Sequence, residues 1–533
     1  MTPGYKELSF FPTLSLRLLA GFSTLRGVSL TAFNLILAVF LVSCSKGEDD
    51  VVTPGGTNTS GTSVVIDSTT VSSGTAEGNT GIAADEEDLI AKSTFSSVVT
   101  IAFGTAVTIT NPLSAKGVTI TESNGDVTIN ATVAEVEYVL SGTTTNGSVK
   151  IYSDKKFKLR LNGVNITNAD GPAINIQSGK RAFVVLTDNT TNTLTDGVTY
   201  TASGTEDMKG TFFSEGQMIF SGNGSLSLKG NNKHAIASDD YIRIISGNIT
   251  VTSAASDGIH TKDAFIADGG TLNITTSGDG IQCDEGYVVI NSGTFTINVA
   301  DKGLSASYDT DATIDPYMNI NGGTINITSS AGEGIESKSI ITINNGTITT
   351  RTKDDGINAG KFIYINGGNI YAYSTSNDAI DSNGKITVTG GKIIAVGSTA
   401  PEEGFDCDRN TFKVTGGIMV GVAGATSSPT ASVSTQPSVL LGAGTATQLV
   451  HIESADGGET LTFLIPRNYA TMLFSSPKLK TGKTYNVYTG GSVTNGKDFN
   501  GLYTSGTYTL GTLSKSFTTS SMVTNAGGSQ GPG

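Results

Sequence analysis

Apolar positions in this chain recur on two scales. In stretches such as "FIYI" (362–365), "YVVI" (287–290) and "KITV" (385–388) the second and fourth residues are apolar. That is the period of a strand with one buried face rather than of a helix. A second alternating stretch ("NIYA", "TINI") follows a Gly-rich turn, and a third, shorter one carries an acid–small–Ile motif. The whole phrase then returns. The apolar residue of the motif recurs at Ile236, Ile259, Ile281, Leu304, Ile335, Ile357, Ile380 and Phe405. The turn glycine recurs at Gly224, Gly247, Gly270, Gly293, Gly323, Gly346, Gly368, Gly391 and Gly417. Both marks keep a step of 22–26 residues and share one longer step, at the insertion "SYDTDATIDPY" (307–317).

Three short strands in about 22–23 residues describe one coil of a parallel β-helix, with equivalent residues stacked about 4.8 Å apart. The columns can be read from the sequence. Asn291, Asn321, Asn344 and Asn366 form an asparagine stack at a turn, where Asn tolerates left-handed backbone and bonds along the stack. Two residues after the motif Ile lie only small residues, among them Ser238, Cys283, Ala306, Ser382 and Cys407, which predicts an inward column. Cys283 and Cys407 share that column five coils apart, about 24 Å, too far to bridge. They read as buried small hydrophobes. The residue before the Ile (Gly258, Gly280, Gly303, Gly334, Gly356 and Gly404, with Ala235 and Ala379) is expected to point outward as a bare stripe.

Composition supports an all-β chain. Of 533 residues 67 are Gly, none is Trp, and only 15% are charged. The net charge of −14 argues against nucleic acid, whose phosphates need a basic face, and leaves cations or neutral surfaces such as glycans open as partners. The N-terminus reads as a targeting segment: basic residues, then "VSLTAFNLILAVFLVSC" ending at Cys44. As a helix the apolar run would reach about 24 Å, short of a bilayer core of about 30 Å. "LVSC" resembles the lipobox of bacterial lipoproteins, which implies lipidation of Cys44. Ser45 and "KGEDD" resemble outer-membrane sorting and surface-export signals of Bacteroidetes lipoproteins. An acidic Ser/Thr/Gly stretch follows, read as a flexible tether.

Candidate chemistry sits beside the motif. Asp257, Asp279, Glu333, Asp355, Asp378 and Glu403 precede the small residue, with Asp301 displaced by one. His260, Gln282, Ser305, Glu336, Asn358, Asp381 and Asp406 follow the Ile, and Lys262, Asp284, Lys338 and Asp408 lie farther on. Carboxylates stacked at coil spacing repel by roughly 3–4 kcal/mol per pair at an effective dielectric of 20. Two compensations stay open: Ca²⁺, which suits oxygen donors where His and thiolate are scarce, or backbone N–H groups of Asp-Gly turns. Asp309, Asp311 and Asp315 in the insertion offer a calcium loop, but they lack the glycine and terminal glutamate of an EF-hand and read rather as a solvated loop. Lys262 and Lys338 are candidate bases for a calcium-dependent uronate lyase, with charge balance as the alternative. Tyr241, Tyr287 and Tyr317, with Phe362, share a column able to stack sugar rings or to pack a corner; His260 and Lys262 complete a candidate carbohydrate-binding set. Outward Thr and Asn after the turn form a flat polar array that Asn369/Tyr371 and Lys392/Ile394 interrupt.

The stretches "LRLNGVNITNADGPAINI" (159–176), "VVLTDNTTNTLTDG" (184–197), "FFSEGQMIFSGNGSLSL" (212–228), the repeated coils and "LFSSPKLKTGKTYNVYTGG" (473–491) resemble bacterial secreted carbohydrate-binding domain-containing proteins with a pectate-lyase-like right-handed parallel β-helix. The resemblance implies calcium sites and binding of plant-type polysaccharide, cellulose or acidic sugars, without established catalysis. Its metal positions fall on Asp257, Asp279, Asp284, Glu333, Glu336, Asp355, Asp378, Asp381, Asp406 and Asp408. His234 in place of the acid in the first coil puts metal there in doubt, and the arginine motif of pectate lyases is missing. The expected organisation is a signal peptide (1–43), a tether (44–91), a β-helix with its N-terminal cap (92–424), a β-rich C-terminal cap (425–521) and a disordered tail (522–533). The expected protein is a monomeric lipoprotein on the surface of a Gram-negative outer membrane, held through Cys44. It binds polysaccharide along a calcium-stiffened face; a lyase or an adhesin spacer is the alternative.

Overall fold

The structure, a computed structural model, describes residues 63–68 and 71–531, all in one compact unit. The targeting segment and Cys44 lie outside the described residues. The parallel β-helix is present, as a solenoid of about 13 turns. Each coil runs through three strands, for example Tyr287–Ile290, Thr294–Val299 and Leu304–Ala306. Every strand pairs in parallel with its equivalent one coil on, as in Tyr287↔Tyr317, Thr294↔Thr324 and Leu304↔Ile335. The third strands build a 13-stranded sheet. Among the described residues no helix is long and apolar enough to cross a membrane.

The core is a set of columns. The motif isoleucines are fully buried, as is the small-residue column with Cys283 and Cys407, both free thiols. Turn glycines adopt positive φ in successive coils, from 82° at Gly270 to 120° at Gly247, a backbone that side chains resist. The expectation of an outward glycine stripe before the Ile is overturned, because that whole column is buried. These residues sit on the bend ahead of the third strand, where the alternation of a strand does not apply. A Cβ on Gly258, Gly280 or Gly303 would lie 2.4–2.5 Å from the Cγ2 of Ile274, Ile297 or Ile327 across the coil. Opposite Gly356 the chain carries Ala372 instead, and in the next coil the motif position is itself an alanine, Ala379. Glycine is therefore set by the width of the coil at this bend.

The asparagine ladder explains a second departure. Asn321, Asn344 and Asn366 each donate one amide N–H to the Oδ1 of the asparagine one coil back, at 2.7–2.8 Å. Their other N–H groups reach outward to Gly81, Asn79 and Glu77 carbonyls at 2.8–3.1 Å. The described part of the expected tether is therefore a strap laid along the solenoid. It ends in two short 3-10 turns, Glu86–Asp88 and Ile90–Lys92, and the fully buried Asp88 pairs with Arg181 and Arg243. At the other end Ser63–Ile66 joins the C-terminal sheet opposite Thr509–Gly506.

The C-terminal region covers the last coil. Thr471–Ser475 runs antiparallel to the final strand, Ile418–Ala423, and blocks the parallel edge. A seven-stranded sheet packs over the outward side chains of the last coils, burying Tyr371, Ile394, Val396 and Val420. That cover is why the Thr/Asn array ends where it does. Residues 522–531 were expected to be disordered; instead Val523–Ala526 pairs with Ser438–Leu441, satisfying an otherwise open edge.

The narrow bend gives a direct test. Gly280→Ala should destabilise the protein by about 1–3 kcal/mol, as overpacking does. Combined with Ile297→Ala, its loss should be smaller than the sum of the two single losses. Denaturant unfolding of the four proteins measures this coupling, and strict additivity would contradict the packing account.

Candidate functional site

Acidic side chains flank the third strand of each coil, and the coil repeat stacks them. Much of the expected repulsion is met by backbone. Asp257 Oδ1 accepts the N–H of Asp279 at 2.9 Å, and Asp279 Oδ1 accepts that of Lys302 at 2.8 Å. Asp355 Oδ1 accepts the N–H of Asp378 at 3.0 Å, and Asp378 Oδ1 accepts that of Glu403. Each of these carboxylates thus caps the backbone one coil on, and the spacing of the repeat makes the bond.

Along its length the acidic column divides into three parts. At the N-terminal end Asp257 Oδ2 lies 3.1 Å from His234 Nδ1 and 3.0 Å from His260 Nδ1, and His260 Nε2 lies 2.9 Å from Asp284. The two imidazoles stack with centroids 4.0 Å apart. Burial works against charge on His260, but hydrogen bonds to Asp257 and Asp284 outweigh it and raise its pKa to about 9. Asp257, despite its own burial, is held well below the usual carboxylate range by both histidines. In the middle, Glu336 is neutralised by Lys302 at 2.8 Å and Lys338 at 2.5 Å. Lys338 is charge balance here. Lys262 is exposed on the coil of His260.

At the C-terminal end carboxylates outnumber cations. Arg409 stands exposed on a rim that Asp378, Glu402, Glu403, Asp406 and Asp408 also line. Oxygens of Asp378, Asp381 and Asp406 lie within 4.8 Å of one another. Asn358 bridges Asp355 at 2.8 Å and Asp381 at 3.3 Å, while Asp406 Oδ1 accepts the N–H of Asp408 at 2.9 Å. Glu403, 1% exposed, has both carboxylate oxygens without a hydrogen-bond partner. Burial and neighbouring carboxylates push Asp355 and Asp378 up to about 7, and Asp381 and Glu403 up to about 8. Three carboxylate oxygens within one coordination diameter, all hard donors, fit a cation the size of Ca²⁺. The mixed nitrogen and oxygen donors around Asp257 suit that ion less well, and they already satisfy one another.

Not every expected residue joins these groups. Asp279 is capped by backbone, with burial raising it to about 7. Glu333 stands near the neutralised Glu336, and Asp408 lines the same open rim as Asp378 and Asp406. The insertion's carboxylates do not converge: Asp311 caps Thr313, and Asp315 pairs with Lys361 at 2.6 Å. Tyr287 and Tyr317 stack with centroids 4.8 Å apart, but Ala264 separates them from Tyr241. The Tyr241 hydroxyl is engaged by Asp88 at 2.7 Å and Arg181 at 2.8 Å under the strap. The importance of Glu403 was hidden from sequence, since Gly531 of the distant C-terminal segment packs against its carboxylate.

The raised carboxyls predict a pH dependence without divalent cations. Between about pH 4 and 8 the folded state keeps protons that the unfolded chain has released, so stability falls as pH rises through that window. A carboxyl that holds its proton ten times more tightly when folded contributes about 1.4 kcal/mol to this fall. Thermal melting in chelator should therefore show a higher Tm at pH 5 than at pH 8, with a smaller difference in Asp381→Asn; a flat profile would contradict the crowded cluster.

A family model described as carbohydrate-binding domain-containing protein matches residues 122–376 and 315–404, together more than half of the chain. A protein of that description from Acetivibrio thermocellus is 34% identical over 118 residues, 21% of this chain and 41% of the relative. The match thus spans about two fifths of that relative's length. The solved structure of a polysaccharide lyase-like protein from C. thermocellum, a gadolinium derivative, is 25% identical and covers 50% of this chain and 96% of that one, with a TM-score of 0.38. With a family model matched across its solenoid, the chain belongs to the carbohydrate-binding domain-containing proteins.

Proposed function

We propose that this protein binds polysaccharide, plant-type or acidic, along its β-helix, as a surface-anchored lipoprotein without catalytic activity. The observation that carries the reading is the outward face of the second-strand ladder. Asn273, Thr275, Thr296, Asn298, Asn326 and Thr328 stand exposed there in successive coils. Parallel pairing holds their hydroxyl and amide groups at a fixed interval of about 4.8 Å on a rigid support. Such a face offers many weak hydrogen bonds to a repeating sugar chain, with little entropy left to lose on binding. Family membership supports the same partner.

Calcium belongs to this reading as a stiffener. Asp378, Asp381 and Asp406 would hold it, and its charge would neutralise the cluster and tie the last coils together. The anchor rests on the lipobox-like "LVSC" at Cys44, which would place the solenoid outside the outer membrane of a Gram-negative cell. A lyase finds less support. Lys338 is tied to Glu336, and Lys262 lies five coils from the carboxylate cluster, about 24 Å away.

A glycan array with and without chelator tests the proposal. Binding to at least one polysaccharide is expected, weakened severalfold by chelation, with no ultraviolet absorbance of unsaturated uronate on incubation with polygalacturonate. Absence of binding to every glycan in either condition would favour a spacer, and an unsaturated product would establish the lyase.

A further inference from the structure

The group of imidazoles and carboxylates at the N-terminal end of the acidic column has a donor set found nowhere else along it. Three consecutive coils build this group. His234 opens one third strand, Asp257 and His260 belong to the next, and Asp284 follows the one after. His234 Nδ1 and His260 Nδ1 both face Asp257 Oδ2, at 3.1 and 3.0 Å, and ligand atoms of the three residues lie within 4.8 Å of one another. A tetrahedral ion with bonds of about 2.0–2.1 Å holds its ligands about 3.3 Å apart. The two observed distances fall only a little short of that edge. The three side chains are 13–18% exposed, so an ion can reach them from solvent and be sheltered once there.

The groups behind these donors already hold them in place. Asp257 Oδ1 accepts the N–H of Asp279 at 2.9 Å, which leaves Oδ2 turned to the imidazoles. His260 Nε2 bonds Asp284 Oδ2 at 2.9 Å, and Gln282 Nε2 donates to the other Asp284 oxygen at 3.0 Å. A carboxylate on the far nitrogen commonly accompanies a ligating histidine, because it fixes the ring and makes the near nitrogen a stronger donor to metal. At His234 the N–H of Asp257 also reaches Nδ1, at 3.3 Å. That nitrogen is therefore satisfied with a proton, given to Oδ2, or with a lone pair, given to this N–H. The lone-pair form is the one a metal takes, and the ion replaces the protons that otherwise hold the group together.

We propose that His234, His260 and Asp257 form a site for a divalent transition ion of the zinc type, separate from any calcium held by the carboxylates of the last coils. Imidazole nitrogen suits Zn²⁺ and its neighbours in the first transition row, whereas Ca²⁺ takes oxygen. Two nitrogens and one oxygen leave the fourth tetrahedral position to water. The ion pins the coil of His234 to that of His260, and Asp284 orients the second imidazole from the coil beyond. Asp279, whose Oδ1 accepts the N–H of Lys302, stands outside the donor set, as does the exposed Lys262. The inference stands independently of glycan binding.

The test uses the full mature protein, free of any histidine tag, stripped with chelator and then kept in excess Ca²⁺ so that oxygen-only sites are filled. Calorimetric titration with Zn²⁺ is expected to show one saturable ion. X-ray absorption at the zinc edge should show two imidazole ligands. Affinity should fall tenfold or more in His234→Gln and about tenfold in Asp284→Asn. In Asp381→Asn, altered at the other end of the column, it should match wild type. Wild type that takes up no Zn²⁺ under excess Ca²⁺ would overturn the site, as would a zinc shell without imidazole; neither result depends on a variant that folds. Affinity retained in full by His234→Gln would overturn it as well.

Discussion

Stacking of equivalent residues at strand spacing is the constraint on which this structure depends. A parallel coil places every side chain about 4.8 Å from its counterpart above and below, so a favourable choice is repeated and so is an unfavourable one. Asparagine benefits, because its amide both donates and accepts along the column. Isoleucine benefits by continuous burial. Aspartate is tolerated where its carboxylate accepts the backbone N–H of the next coil.

The same constraint locates the site. Where lysines or histidines enter the acidic column, as around Glu336 and Asp257, charge is balanced within the chain. In the last coils carboxylates outnumber the balancing side chains, and burial by the C-terminal region deepens the cost for Glu403. Protonation meets that cost at low pH. A divalent cation would meet it near neutrality, and would convert a repulsive end into a cross-linked one. In the proposed reading glycan recognition uses a different ladder, the exposed outward positions of the second strands.

Sequence conveyed what is local and periodic. The coil length, inward isoleucines, asparagine stack and buried thiols could be read because each repeats within one coil's span. The direction of the motif glycines could not, since a bend suspends alternation and the deciding contact, such as Gly280 against Ile297, is across the coil. Residues 71–91 have the composition of a linker, and their partners Asn321, Asn344 and Asn366 lie more than two hundred residues away. Tyr371 was visible as an interruption of the Thr/Asn array, but its cause, the covering sheet, is formed by residues far downstream. Asp378, Asp381 and Asp406 were legible as the densest carboxylates. Their separation from Lys302 and Lys338 is a property of the fold.

The claim that a cation relieves the carboxylates of the last coils is tested most directly by proton release on adding Ca²⁺. Calorimetric titration in buffers of different ionisation enthalpy gives the protons displaced per bound ion. With carboxyls raised to about 7 and 8, binding at pH 6 should release on the order of one proton or more, falling towards zero by about pH 9. Saturable binding with no proton released at pH 6, or no binding at any pH, would contradict the account.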